Sequence, residues 1–221
     1  MPMQSAIYVV FRGSTSIEDW IGNIDVIKSD YSKCDDCAVH KGFYDAQKTV
    51  SAFIIAAVKD LRAEFPTYTI ITTGHSLGES RYLLRSFGDL FALIFPFFFT
   101  GAAMATLTAI DLIESGLAPV RLFNFGSPRI GNHEFAEWAS DYIEDHNRVT
   151  HYRDIVVHLP SRHRFEHITG EWYEDEHHEI HACEGPNDPD CSYQFYRTDI
   201  PDHMQYLTLN VTCAAVTANT A

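Results

Sequence analysis

The pentapeptide Gly74-His75-Ser76-Leu77-Gly78 constrains the fold of this chain more than any other feature. It follows directly on residues 68–73, an apolar run rich in β-branched side chains, which is typical of a strand. A serine between two glycines after a strand indicates a sharp strand-to-helix turn, because only small flanking residues permit the strained backbone that exposes the hydroxyl. The pattern therefore predicts Ser76 as a nucleophile at the end of a strand.

The rest of the chain alternates between strand-like and helical patterns. Apolar residues recur at three- and four-residue spacing after Gly42, until Pro66 ends the predicted helix. A second helix is predicted over 102–115, ending at Gly116, and a third after Asn132. Four short runs predict strands, at 7–11, 68–73, 120–125 and 148–152. Without a repeat or a linker, residues 1–221 are expected to form one α/β domain with a central, mostly parallel sheet.

The charge of the chain limits its partners. Thirty acidic and 16 basic side chains give a net charge of −14, which repels nucleic acid and anionic membrane surfaces. The apolar run 91–99 is too short to span a bilayer and is interrupted by Pro96. We therefore expect no nucleic-acid partner and no stable membrane insertion.

A serine nucleophile needs a base, and the base needs an acid to orient it. In folds that carry the serine on such a strand-to-helix turn, the three residues follow the chain order Ser, Asp, His. Asp154 and His203 satisfy this order. Asp154 comes just after the predicted strand 148–152, where open α/β sheets place their chemistry. A chance surface histidine is the alternative for His203, one of 12 histidines. Chain order and position favour the catalytic assignment.

Several further segments match a known family in order along nearly the whole chain. The chain resembles the class 3 lipases, a family of fungal triacylglycerol lipases and their feruloyl esterase relatives, at residues 9–14, 39–43, 74–78, 124–132, 154–160 and 202–206. The resemblance implies an α/β-hydrolase-like fold and a triad of Ser76, Asp154 and His203. It also implies an oxyanion hole from Ser14 and the backbone N–H of Leu77, a lipid or other ester substrate, no cofactor, and a monomer.

The segment 15–22 has Ile17, Trp20 and Ile21 on one helical face. In similar lipases this segment is a lid, so the resemblance predicts an apolar lid and activation at an oil–water interface. The alternative is a surface helix that stays packed. The resemblance favours a triacylglycerol lipase. A feruloyl or short-chain esterase remains as one alternative, and a catalytically inactive lipid-binding relative or a product disabled by its insert as another.

The five cysteines fall into two local pairs and one left over. Cys34 with Cys37, and Cys183 with Cys191, are expected to form disulfides, whereas Cys213 has no partner nearby. Half a zinc site is the alternative for Cys34 and Cys37, but no second CxxC completes it. The disulfides and a glycosylation sequon at Asn210 indicate a secretory context.

The N-terminus lacks the pattern of a signal peptide. Relatives carry a secretion signal and a further strand before the segment that matches Ile7. We therefore expect that an N-terminal part is missing, that the protein is secreted, and that one sheet edge is left unpaired.

The acidic, histidine-rich segment 174–181 raises the question of a metal. His177 and His181 are four residues apart, but the HExxH order is absent and the segment has the character of a solvated loop. The sequence therefore predicts no metal site.

Residues 79–101 depart from the family pattern, which continues from Gly78 straight into a helix of small residues. Removing them joins Gly78 to Ala102 in register with the family, and Gly78-Glu79-Ser80 can be encoded with a donor-like splice sequence. We therefore expect a translated intron; a genuine insertion is the alternative. The apolar part of this segment has no evident place in the core.

Overall fold

The computed structural model describes residues 5–11, 13, 26–76, 83–87, 90–95 and 101–210. A sheet of eight strands forms its centre, in the spatial order β10-β9-β8-β7-β4-β1-β6-β5. These strands are β1 (Ala6–Phe11), β4 (Thr69–His75), β5 (Leu83–Phe87), β6 (Leu90–Phe95), β7 (Val120–Phe125), β8 (Asp145–His151), β9 (Glu171–Glu174) and β10 (Ile180–Ala182). Four short strands form two separate hairpins, β2 (Lys28–Asp30) with β3 (Ala38–His40) and β11 (Gln205–Tyr206) with β12 (Leu209–Asn210).

The six inner strands of this order, β9, β8, β7, β4, β1 and β6, are parallel to one another. The two edge strands, β10 and β5, are each antiparallel to their neighbour. Parallel neighbours bring their carboxyl ends to the same edge of the sheet, where such folds carry their chemistry. The predicted α/β architecture with a mostly parallel central sheet is confirmed.

In the described part of the chain, three helices accompany the sheet: α1 (Lys41–Glu64), α2 (Gly101–Leu112) and α3 (His133–Tyr142). Asn132 caps α3, as its side-chain oxygen accepts the N–H of Phe135 at 3.2 Å, which satisfies a donor left free at the helix start. Helix α2 is followed by a turn over Ile113–Leu117, in which Gly116 leaves the helical backbone with a φ of +77°. The three helices predicted from periodicity are confirmed, with boundaries shifted by one to three residues.

Helix α2 lies between the sheet and α1 and is the most buried of these three helices. Its small residues Ala102, Ala103 and Ala105 are fully buried, which lets the helix approach β4 and β7 closely. Asn124 of β7 donates its side-chain amide to the hydroxyl of Thr106 at 2.7 Å. This close packing fixes the start of α2 against the end of β4.

The structure gives part of the segment 79–101 a place that we did not expect. β6 runs parallel to β1, with Ala6 opposite Leu90 and Phe11 opposite Phe95, and β5 pairs antiparallel with β6. The unpaired sheet edge that we expect from a missing N-terminal strand is therefore not found at β1, which has a paired neighbour on both sides. The physical reason is that a strand edge presents a row of free N–H and C=O groups that another extended segment can satisfy.

The two expected local disulfides, Cys34 with Cys37 and Cys183 with Cys191, are confirmed. Cys213 lies outside the described residues. Among the helices in the described part of the chain, none combines the length and apolar character needed to cross a membrane.

Candidate active site

Ser76 follows the last residue of β4 and has a φ of +50°. A non-glycine residue rarely adopts this left-handed backbone, and such strain is typical of functional sites. The Ser76 N–H donates to the carbonyl of Phe125 at 3.0 Å, and the Ser76 carbonyl accepts the N–H of Ala102 at 3.2 Å. The turn is therefore held between β7 and the start of α2.

Gly74 shows why the turn needs a small residue. A Cβ on Gly74 would come within 2.2 Å of the carbonyl oxygen of Gly101, a distance that no real contact reaches. Gly74, two residues before Ser76, thus lets α2 approach β4.

The three residues of the predicted triad lie together, although they come from three distant parts of the chain. Asp154 follows β8, and His203 lies in a short 3₁₀ helix, Pro201–Met204. His203 Nδ1 lies 2.7 Å from Asp154 Oδ2, and His203 Nε2 is hydrogen-bonded to Ser76 Oγ. All three residues are buried. A continuous hydrogen-bonded chain therefore leads from the carboxylate through the imidazole to the hydroxyl.

The surroundings of Asp154 keep its carboxylate ionised. Burial alone would raise its pKa, but the contacts with His203, the hydroxyl of Tyr206 and the N–H of Val156 together lower the pKa below its ordinary value. Val156 donates to Oδ1 at 2.7 Å, and Tyr206 donates to Oδ2. An ionised Asp154 makes Nδ1 of His203 the protonated ring nitrogen and leaves Nε2 to accept the serine proton.

Two neighbours of His203 complete the site. The ring of His75 stacks on that of His203 with centroids 4.7 Å apart, and its Nε2 lies 3.1 Å from the carbonyl oxygen of His203. Burial, with the nearby charge of His203, lowers the pKa of His75 to about 3. His75 is therefore a neutral hydrogen-bond donor that holds the backbone at His203 in place.

Gly126 has a φ of +55°, and a Cβ there would come within 2.7 Å of His203 Cε1 and 2.9 Å of Asp154 Oδ2. Sequence analysis did not assign roles to Tyr206, His75 or Gly126. All three lie within segments that match the family, at 74–78, 124–132 and 202–206, and this match was the available signal.

The other predicted site residues cannot be placed. Ser14 and Leu77 of the expected oxyanion hole, and Ile17, Trp20 and Ile21 of the expected lid, lie outside the described residues. Their roles stay predictions.

The chain is similar to lipases in its sequence and in its fold. The family model for "Lipase (class 3)" matches residues 8–86 and 99–164; the unmatched residues 87–98 fall inside the segment 79–101. A lipase of Rhizomucor miehei is 32% identical over 94% of this chain and 53% of its own length. The secreted mono- and diacylglycerol lipase 1 of Fusarium solani is 31% identical over 95% of this chain and 59% of its own length.

Among solved structures, the triacylglyceride lipase of Rhizomucor miehei superposes with a TM-score of 0.79 at 29% identity, covering 96% of this chain and 74% of that one. The chain thus spans a little over half the length of the two curated relatives.

Proposed function

Because the chain belongs to the class 3 lipase family, we propose that it hydrolyses carboxylic esters through an acyl-enzyme formed on Ser76. One observation carries this proposal: the buried hydrogen-bonded chain from Asp154 through His203 to Ser76. This order of acid, base and nucleophile is the constellation that activates serine in unrelated hydrolases.

The geometry supports the following steps. His203 Nε2 removes the proton of Ser76 as Oγ attacks the ester carbonyl carbon, and Asp154 stabilises the imidazolium that forms. The C–O bond to the alcohol then breaks, and the alcohol leaves with the proton held on Nε2. Water attacks the acyl-enzyme with the same base, which releases the fatty acid and restores the Ser76 hydroxyl.

The oxyanion of each tetrahedral intermediate needs hydrogen-bond donors, and we assign this role to Ser14 and to the backbone N–H of Leu77. The assignment rests on the match with the family. In hydrolases of known mechanism, one such donor contributes about 3–4 kcal/mol to catalysis.

For the substrate, the relatives favour acylglycerols, since their names describe triacylglyceride and secreted mono- and diacylglycerol lipases. We propose a secreted, monomeric lipase that acts at an oil–water interface, with Ile17, Trp20 and Ile21 on its lid. A feruloyl or short-chain esterase on the same scaffold is the nearest alternative.

The proposal is tested by comparing hydrolysis of a triolein emulsion with that of methyl ferulate. The chain should release fatty acid from triolein in preference to ferulate. Ser76→Ala should reduce this rate by about 10⁶-fold, as loss of the nucleophile does in serine hydrolases. Ser161→Ala, at an exposed serine, is the matched control and should keep the rate. Preference for ferulate would favour the esterase, and no hydrolysis of either substrate would favour a lipid-binding protein.

A further inference from the structure

A second group of chemically capable side chains lies beside the catalytic histidine. His151 is the last residue of β8 and is paired in register with Glu174, the last residue of β9. His178 reaches the same place from the turn between β9 and β10. One ligand atom from each of the three side chains lies within 4.8 Å of the other two.

Hydrogen bonds orient both imidazole rings of this cluster. His151 Nδ1 lies 2.7 Å from the carbonyl oxygen of Asp202, so it carries the proton, and Nε2 keeps its lone pair. His178 Nδ1 lies 2.7 Å from Glu174 Oε1. The two imidazole rings are stacked within 9° of parallel at a centroid distance of 5.4 Å.

The three side chains of the cluster differ in burial. Glu174 is fully buried and His151 is 3% exposed, whereas the His178 side chain is 32% exposed. Two of the three groups are thus fixed by the fold, and the third stands at the surface, where an ion can enter. A histidine held by a backbone carbonyl through its other ring nitrogen is the usual arrangement of a metal-binding histidine.

We propose that His151, Glu174 and His178 bind a divalent cation of the zinc class. Two imidazoles and one carboxylate are the ligand set that Zn²⁺ accepts with a water as fourth ligand, whereas Ca²⁺ and Mg²⁺ prefer oxygen ligands alone. Ligand atoms around a tetrahedral Zn²⁺ are about 3.4 Å apart. The ligand atoms of the cluster lie within 4.8 Å of one another, so the exposed ring of His178 adjusts its position when the ion binds.

A bound ion would stabilise the segment that carries the catalytic histidine, His203. His151 contacts the carbonyl of Asp202, directly before His203. Both oxygens of Glu174 accept the N–H of Leu207 at 2.9 Å. Both ends of the segment 202–207 are thus attached to proposed ligands, and binding of the ion stabilises the folded position of His203 by mass action.

This site differs from the pair considered in the sequence analysis. His177 has a 76% exposed side chain, and His181 lies in a separate, more exposed group with Asp175. Sequence spacing did not reveal the pairing of His178 with His151, because it depends on the register of β8 against β9.

The test is a titration of the full chain with Zn²⁺ alone, followed by calorimetry, with the melting temperature measured in parallel. The informative variant is His178→Asn, because His178 has a φ of +63° and asparagine tolerates this backbone. His177→Asn and His181→Asn are matched controls for surface binding.

We expect one equivalent of Zn²⁺ and a rise in melting temperature for the chain and both controls. For His178→Asn we expect binding weaker by at least about tenfold and no rise in melting temperature, and for Ca²⁺ no effect on any form. The proposal is overturned if the chain binds no Zn²⁺, or if His178→Asn binds like the chain. Loss of binding in His181→Asn alone would also overturn it.

Discussion

At the scale of single residues, Gly126 and Gly116 form a natural pair for a test. Both have a positive φ, but a Cβ on Gly126 meets His203 and Asp154, whereas a Cβ on Gly116 meets nothing within 4 Å. We predict that Gly126→Ala lowers kcat by about a hundredfold, because displacing catalytic groups by about 1 Å costs that much. Gly116→Ala should lose about 1–2 kcal/mol of stability through backbone strain and keep kcat. The measurements are ester hydrolysis and urea unfolding; equal kcat in both variants would contradict the prediction.

Sequence alone could predict part of the residue-level picture. Ser76, Asp154 and His203 could be proposed because chain order and a sharp turn constrain them, and the family resemblance supported them. Tyr206 and Gly126 could not, because their importance comes from contacts with Asp154 that only the folded chain creates. The metal-ligand candidates His151 and Glu174 were missed for the same reason.

At the scale of elements, a buried ion pair joins β8 to β9. Arg148 Nη2 lies 2.8 Å from Glu171 Oε2, and both side chains are 1% exposed. Burial would raise the pKa of Glu171, but Arg148 and hydrogen bonds from Ser192 and Thr150 lower it below its ordinary value. The ionised carboxylate therefore depends on its partners.

We predict that Arg148→Met costs about 3–5 kcal/mol of unfolding free energy, because it leaves a buried charge without its partner. The double variant with Glu171→Met should be more stable than Arg148→Met alone. Arg121→Met is the control: its partner Asp145 is 45% exposed, and such pairs contribute about 0–1 kcal/mol. Similar losses from Arg148→Met and Arg121→Met in urea unfolding would count against this account.

The segment 79–101 is the second element with a testable role, and we propose that it is a translated intron. The N–H of Ala102 already donates to the carbonyl of Ser76, as it would if Ala102 followed Gly78 directly. Removing residues 79–101 should therefore preserve the turn and raise the rate of triolein hydrolysis. Against this stands the pairing of β6 with β1, which the deletion removes. Loss of activity in the deleted form, with full activity in the chain as written, would exclude the intron.

Sequence patterns predicted these elements unevenly. β1, β4, β7 and β8 and the three helices follow from apolar periodicity. β9 and β10 were not predicted, because they are short and rich in charged residues, among them Glu171 and Glu174. The pairing of β6 with β1 could not be foreseen, since any extended apolar segment can satisfy a free strand edge.

At the scale of the whole molecule, buried neutral histidines make folding sensitive to acid. Burial lowers the pKa of His75 to about 3, and burial together with Arg148 and Arg129 lowers that of His167 well below 6.5. A group with a lowered basic pKa binds more protons in the unfolded chain, so its contribution to stability falls as the pH drops below about 6.5. The carboxylates of Glu171 and Asp154 also have lowered pKa values, but they make stability depend on pH only at lower pH, where carboxylates of the unfolded chain take up protons.

We predict that the unfolding free energy falls by about 2 kcal/mol between pH 6.5 and pH 5.5, or about 1 kcal/mol for each of His75 and His167. His167→Gln should remove about half of this dependence. His177→Gln, at an exposed histidine, should leave it unchanged. Urea unfolding at both pH values measures the effect, and a free energy of unfolding that stays constant would contradict the assignment.

The most direct test of the central claim, that Ser76 is the nucleophile, is labelling with diethyl p-nitrophenyl phosphate, read as released p-nitrophenol and as modified peptide by mass spectrometry. The account predicts one equivalent of p-nitrophenol per chain and a diethyl phosphate group on Ser76. Asp154→Asn should react about 10⁴-fold more slowly. Labelling of another residue, or none under conditions where the chain hydrolyses esters, would contradict the proposed mechanism.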